Sequence, residues 1–415
     1  MAVSDKLYDL YKRHPHVTTD SRNVPEGSLF FALRGERFDG NRFAADALER
    51  GAAYAVVDDP QAAVSDRYIV VGDTLRALQE LAAHHRRKLG IPLLAITGTN
   101  GKTTTKELTA RVLSRKFRLH ATRGNLNNHI GVPLTLLSIP AGTEFAVVEM
   151  GAGACGEIAE LCRIAAPDYG IITNIGRAHL EGFGSPEGVK RGKGELFDRL
   201  AGHGGTAFVC EDDPILADMA HGRPDMKTIY YGLSADDGME SRLVGEYNRY
   251  NVAAAATIGR FFGVPEADIR NAIESYVPDN HRSQRMETER NTVIADCYNA
   301  NPSSMRAAIG FFAAKPSGRP KTAILGDMLE LGAFSVAEHT SLIEYLAGIG
   351  IPQVILVGAC FEEAAAKAQP LPDDLQIFPD TDKLATYLRE HPVSEREVLL
   401  KGSNGIGLDK LILLL

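Results

Sequence analysis

The 415-residue chain has no apolar run long enough to cross a bilayer, and its start, Met1-Ala-Val-Ser-Asp-Lys, carries no apolar signal region. It has no long basic run, and its net charge is −8, so nucleic acid is not an expected partner. Its five cysteines (Cys155, Cys162, Cys210, Cys297, Cys360) are odd in number and lack C-x-x-C spacing. That argues against a disulfide framework or a zinc site, and predicts small buried hydrophobes in a reducing compartment. Internal repeats and low-complexity tracts are also missing. What these absences leave is a cytoplasmic globular protein, expected as a monomer. Its 44% apolar and 24% charged residues allow a sizeable core, and its length predicts about three domains.

What is present is organised around residues 93–106. An apolar run, Leu93-Leu94-Ala95-Ile96-Thr97, ends in Gly98-Thr99-Asn100-Gly101-Lys102-Thr103-Thr104, and a helix-forming segment follows through Leu113. Strand, glycine loop and helix in this order make an anion cradle, because loop N–H groups and the positive helix end point at the same place. Lys102 can reach a β- or γ-phosphate, and the Thr103 hydroxyl can take a place on Mg²⁺. The common GxxxxGK[ST] form wants glycine at position 96, where this chain has Ile96. A merely structural glycine turn is the alternative.

Before the loop, segments 28–33, 53–57 and 68–71 read as short buried strands, with a helix over 43–50. Asp73 can cap a helix that carries Leu75, Leu78, Leu81 and Ala82 on one face, and Gly90 can end it. From Ile91 the chain alternates strand and helix, as in a parallel sheet with crossover helices. Strands are predicted at 145–149 and 169–174, with weaker ones at 206–209 and 228–230, then a helix over 250–262. A break at 276–280 predicts a junction just beyond. Further strands are predicted at 292–295, 322–325, 354–357 and 398–400. The loops Gly326-Asp327-Met328 and Lys401-Gly402-Ser403 follow two of these, at the strand ends where open α/β sheets place ligands.

Several polar residues in these turns can carry chemistry, each with a plain structural alternative. Glu149 ends a buried strand and can hold Mg²⁺, or simply cap a helix. His179, in Asn174-Ile175-Gly176-Arg177-Ala178-His179-Leu180-Glu181, is a metal-ligand candidate, although imidazole is an uncommon magnesium ligand. Lys190, Arg191 and Lys193 read as a solvated basic helix face. A protonated lysine cannot ligate a metal; only a carbamate form can. Asn248, Asn251 and Arg282 can serve a nucleotide or lie on the surface. The dense turn Asp296-Cys297-Tyr298-Asn299-Ala300-Asn301-Pro302 fits ordinary turn chemistry.

Taken together, these blocks resemble the Mur ligases, ATP-dependent amide-forming enzymes of peptidoglycan precursor synthesis, over nearly the whole chain. Gly98-Thr99-Asn100-Gly101-Lys102-Thr103 is similar to the family's phosphate loop. Four blocks resemble the branch that adds D-alanyl-D-alanine: 122–128, 179–184, Tyr298-Asn299-Ala300-Asn301-Pro302, and 325–332.

The resemblance implies an α/β fold of three domains. These are a small UDP-sugar-binding domain (1–85), a central P-loop ATPase-like parallel-sheet domain (86–284), and a Rossmann-like domain for the incoming dipeptide (285–415). It implies ATP and Mg²⁺ as cofactors, and UDP-MurNAc-tripeptide and D-Ala-D-Ala as substrates. Residues 98–104, Asn248, Asn251, Arg282, Asn299 and Asn301 would serve ATP. Ser21 and Arg22 would hold the UDP end, and Asn127 and Asn128 would line the peptide path. Thr103, Glu149, His179 and a carbamylated Lys193 would hold the metal, with Lys102, Lys193 and His179 catalytic. A folate-type relative would lack the first eighty-odd residues. A protein using ATP only as a switch would not need the Glu149, His179 and Lys193 set.

Overall fold

Helix Thr74–Leu89 joins the first third of the molecule to the second, and its limits follow from local chemistry. The Asp73 carboxylate accepts the Arg76 N–H at 2.8 Å, and Gly90 closes the helix at φ 63. Leu78, Leu81 and Ala82 are buried on one face. The helix packs against Val3–Arg13, Gly131–Leu137 and Glu157–Ala165. Arg86 fastens its end, donating to the Ala165 carbonyl and the Asp168 carboxylate, each at 2.8 Å. The computed structural model describes residues 3–36, 38–278 and 282–415. The junction expected just beyond 280 therefore falls at the edge of residues 279–281, outside the described residues.

Three sheets carry the fold. The first has four short parallel strands, in order Val17–Thr18, Leu29–Phe31, Tyr54–Val57 and Tyr68–Val70. The second has six parallel strands: Lys227–Tyr231, Thr206–Cys210, Tyr169–Ile172, Leu93–Thr97, Phe145–Glu149 and Leu119–Ala121. Leu93–Thr97 and Phe145–Glu149 are buried at every position, as expected of strands covered by helices on both faces. The third has Gln284–Glu287, Thr292–Asp296, Glu397–Lys401, Lys321–Gly326, Gln353–Val357 and Leu375–Phe378. Its first pair is antiparallel and the rest are parallel.

The sequence pattern missed the edge strands Gln284–Glu287 and Leu375–Phe378, because both are half-exposed and carry no continuous apolar run. It also missed helix Val3–Arg13 and strand Leu119–Ala121. The helix expected over 43–50 is a 3₁₀ turn, Gly40–Phe43, running into the α-helix Ala44–Glu49. Among the cysteines, Cys162, Cys210 and Cys297 are buried as expected. Cys155 is exposed and Cys360 half-buried, since each sits in a loop or helix start rather than in a strand. No described helix is long and apolar enough to cross a membrane.

Candidate active site

The phosphate loop is shaped by two glycines that no other residue replaces without strain. Gly98 has φ 140, and a Cβ there would lie 2.0 Å from Thr173 Oγ1. Gly101, at φ 79, opens helix Lys102–Leu113, whose first turn has no side-chain cap and so presents its N–H groups. Lys102 curls over the loop, donating to the carbonyls of Gly98 at 2.8 Å and Thr99 at 3.0 Å. Burial pulls its pKa down to about 8 against the opposing charge of Glu149, with Arg282 adding to the fall.

Glu149 emerges from the neighbouring strand and is 1% exposed. Its Oε1 accepts from Asn127 Nδ2 at 2.8 Å and from the Thr103 hydroxyl at 3.2 Å. Its Oε2 is buried with no hydrogen-bond partner among the described residues. His179, half-buried, follows the next strand at φ 51; its Nδ1 lies 2.5 Å from Glu330 Oε2. That hydrogen bond holds the Glu330 carboxyl below its usual range.

Lys193 corrects the reading of a solvated basic face. Lys190 and Arg191 are exposed, whereas Lys193 is 1% exposed. In helix Pro186–Ala201 it shares the inward stripe with Val189, Leu196, Phe197 and Leu200, at helical spacing. Its Nζ donates to the Ala152 carbonyl at 2.9 Å and lies 5.2 Å from the Phe183 ring centre. Burial, aided by the charge of Lys102, lowers its pKa to about 7.

Asn248 and Asn251 are likewise buried, not surface residues. Asn251 Oδ1 accepts the Thr105 hydroxyl at 3.0 Å, and its Nδ2 donates to Asn248 Oδ1 at 2.8 Å. The Arg282 guanidinium stacks 3.8 Å from the Tyr298 ring centre. Asn301 caps helix Pro302–Ala314 in a capping box with Ser304, and its Nδ2 donates to Asn100 Oδ1 at 2.7 Å. Asn299 is exposed beside it.

These residues enclose a cavity of about 610 Å³ between the second and third sheets. Residues 99–104, Asn127, Asn128, Glu149, His179, Asn248, Asn251, Arg282, Asn299 and Asn301 line it. Lys193 stands behind its wall, with its amine on a carbonyl of the lining residue Ala152, and Gly98 underlies the loop. Ser21 and Arg22 do not line the cavity; Arg22 pairs with Asp20 at 2.9 Å on an exposed turn of the first unit.

A second polar chain at the cavity joins Asp296 and Lys401, from the turn and the strand-end loop noted in the sequence, to Tyr247 and Ser283, which were not singled out there. Lys401 Nζ lies 2.6 Å from Asp296 Oδ2, the Ser283 N–H donates to Asp296 Oδ1 at 3.0 Å, and the Ser283 and Tyr247 hydroxyls are 2.8 Å apart. Asp296 and Lys401 had a signal, since each ends a buried strand of the third sheet at the same edge. Tyr247 and Ser283 had none.

Comparison with known proteins follows the same division. Three family profiles match: "Mur ligase family, catalytic domain" over residues 15–86, "Mur ligase middle domain" over 96–240, and "Mur ligase, glutamate ligase domain" over 281–404. A curated relative from Bacillus subtilis, UDP-N-acetylmuramoyl-tripeptide–D-alanyl-D-alanine ligase, is 34% identical over 95% of this chain and 92% of its own length. A crystal structure of MurF from Acinetobacter baumannii superposes with a TM-score of 0.85 at 31% identity, covering 96% of this chain and 93% of that one. MurF from Thermotoga maritima, solved with ADP, gives a TM-score of 0.82 at 27% identity, with 96% of each chain covered. The three profiles together span most of the chain and the relatives match it over nearly its whole length, so the chain belongs to the Mur ligase family.

Proposed function

We propose that this protein is the ligase that joins D-Ala-D-Ala to UDP-MurNAc-tripeptide at the expense of ATP, forming UDP-MurNAc-pentapeptide, ADP and phosphate. One observation carries the reading. The cavity gathers a phosphate loop and a buried carboxylate with an unused oxygen, both from the second sheet, together with amide and guanidinium groups suited to a nucleotide. Whole-length similarity to enzymes of that name supports the choice of substrates.

The donor set fits Mg²⁺. Glu149 Oε2 is an orphaned buried oxygen, the Thr103 hydroxyl lies beside the same carboxylate, and magnesium takes oxygen ligands from one or two protein carboxylates. When bound, Mg²⁺ would neutralise charge on the phosphate oxygens. Thr103, Glu149, His179 and a carbamylated Lys193 are the residues to hold it. Carbamylation needs a neutral amine shielded from water, and the burial that lowers the Lys193 pKa supplies one.

A carboxylate is a poor acylating group, so the reaction proceeds in two displacements. The tripeptide's terminal carboxylate oxygen attacks the γ-phosphorus, the bond to the β-phosphate oxygen breaks, and ADP leaves. The dipeptide amine then attacks the carbonyl carbon of the acyl phosphate, the C–O bond breaks, and phosphate departs as the amine loses its proton. Lys102 and the loop N–H groups would hold and stabilise the transferring charge, since phosphoryl transfer depends chiefly on positioning and electrostatics. Arg282, Asn248 and Asn251 would secure the nucleotide from the central unit, with Asn299 and Asn301 closing on it from the third. Ser21 and Arg22 would hold the distant UDP end, with Asn127 and Asn128 along the path between.

The three sheets support a division into three units near 1–85, 86–284 and 285–415, although helix Thr74–Leu89 runs across the first limit and Gln284 already pairs in the third sheet. Cytosolic placement accords with soluble nucleotide substrates. The test is mass spectrometry of products formed from ATP, UDP-MurNAc-tripeptide and D-Ala-D-Ala, with D-Glu and L-Lys as competitors. A pentapeptide product with ADP is expected. Equal ligation of the free amino acids would reject the substrate assignment.

A further inference from the structure

The loop after strand Lys321–Gly326 is pinned residue by residue. Asp327 accepts the N–H groups of Cys360 and Phe361, each at 2.9 Å, and Gly358 leaves no room for a side chain against it. His339, with 0% exposure, accepts the Met328 N–H on Nε2 at 3.0 Å, and its Nδ1 donates to the Ser335 carbonyl at 2.7 Å. The Leu329 N–H donates to Ser403 Oγ at 3.0 Å. Asp327, His339 and Cys360 are close enough to suggest a metal cluster. However, the carboxylate and both ring nitrogens are already engaged in holding this loop.

The outcome of the pinning is Glu330. It sits at φ 63, a conformation that side-chain-bearing residues avoid, and its carboxylate meets His179, itself at φ 51. Two such residues in contact across a domain boundary are a costly arrangement, kept only where the surroundings enforce it. Beside them, Arg177 Nη1 lies 2.7 Å from Glu338 Oε1, and the Arg177 N–H donates to Ser303 Oγ at 3.0 Å. Gly332 is pressed against Glu181, where a Cβ would come within 3.1 Å of its side chain. The third unit therefore grips the 176–181 segment at several points around the His179–Glu330 pair.

We infer that Glu330 is a positioning residue for the reaction: its carboxylate holds His179 as the Nδ1–H tautomer, so that Nε2 offers its lone pair to a divalent cation in the phosphate cavity. The inference rests on the nucleotide-and-metal reading given above. A metal-binding histidine commonly donates its other ring N–H to a carboxylate, which fixes the ring and raises its basicity. Here that carboxylate comes from a different unit than the histidine. Docking of the third unit and cation affinity are consequently linked, and each strengthens the other.

The test uses Mn²⁺ as the probe, titrated by electron paramagnetic resonance into the full-length protein with a non-hydrolysable ATP analogue. Glu330→Ala should weaken Mn²⁺ binding by about 10- to 100-fold, and Glu330→Gln, which keeps an acceptor oxygen, by less. The Glu330 side chain is 62% exposed, so the melting temperature should barely move. In parallel, imidazole ¹⁵N spectra should show His179 as the Nδ1–H tautomer in the parent and as a tautomer mixture in Glu330→Ala. Manganese affinity within twofold of the parent in both variants would overturn the inference, as would an unaltered tautomer in Glu330→Ala. Failure of the parent itself to bind manganese–nucleotide would instead overturn the nucleotide-and-metal reading, and this inference with it.

Discussion

Asn301 Nδ2 donates to Asn100 Oδ1 at 2.7 Å, so the residue that caps a helix of the third unit also grips the phosphate loop of the second. The two roles use different atoms: Oδ1 accepts the Ser304 N–H for the cap, and Nδ2 reaches the loop. They can therefore be separated by substitution. Asn301→Ser keeps a capping oxygen on a shorter side chain and should leave stability nearly unchanged while raising KM for ATP several-fold. Asn301→Ala should raise KM and also lose about 1 kcal/mol of stability. Steady-state kinetics with thermal melts decide the matter; a wild-type KM in the serine variant would show the contact to be idle.

Lys102→Ala should cut kcat at least about a hundredfold, the scale for removing one donor from a transition-state site. Because Lys102 is a buried cation whose pKa is already lowered, its loss should not reduce the melting temperature at pH 7. A variant that ligates at near wild-type rate would show that this loop does not serve ATP.

Gly98→Ala should unfold more easily by about 1–3 kcal/mol, the cost of a side chain held at a forbidden backbone angle. The added methyl would meet Thr173 Oγ1 at 2.0 Å and the Thr173 nitrogen at 2.9 Å. Thr173→Ala in the same chain should restore part of the loss but not all, since the backbone nitrogen remains. Urea denaturation measures both; a Gly98→Ala protein as stable as the parent contradicts the loop geometry.

Lys193 gives a pH signature. Its folded pKa of about 7 lies below the ordinary lysine value of 10.5, so between these limits the unfolded chain binds more protons than the folded one. Stability from this group must then rise with pH across that window. In CO₂-free buffer, the melting-temperature advantage of Lys193→Met over the parent should shrink from pH 7 to pH 10. With ¹³C-bicarbonate, the parent should show a carbamate resonance that Lys193→Met lacks. Lys193→Ala should be nearly inactive, with acetate restoring a fraction of the activity. A fully active alanine variant without a carbamate signal would return Lys193 to an ordinary buried lysine.

The sequence by itself determined the elements whose cause is local. Leu93–Thr97 is a buried strand because its residues are apolar in an unbroken run, and Gly98 and Gly101 mark the loop because only glycine takes those angles. Asp73 and Gly90 bound their helix through short-range hydrogen bonding and a left-handed turn. Lys102 was legible in the strand–loop–helix pattern, and Glu149 and His179 were candidates by their places after buried strands; family resemblance joined them and added a carbamylated Lys193, which spacing alone left as a solvated lysine. Tertiary structure decided what depends on neighbours distant in the chain. Lys193 and Asn251 look like surface residues until the helices that bury them are in place, and Asp296 and Lys401 become a pair only when their parallel strands lie side by side. Glu330 reaches His179 across 151 residues of chain, held at an angle no local preference would choose. Burial, charge pairing and enforced strain are properties of the assembled interior, and composition and periodicity carry no record of them.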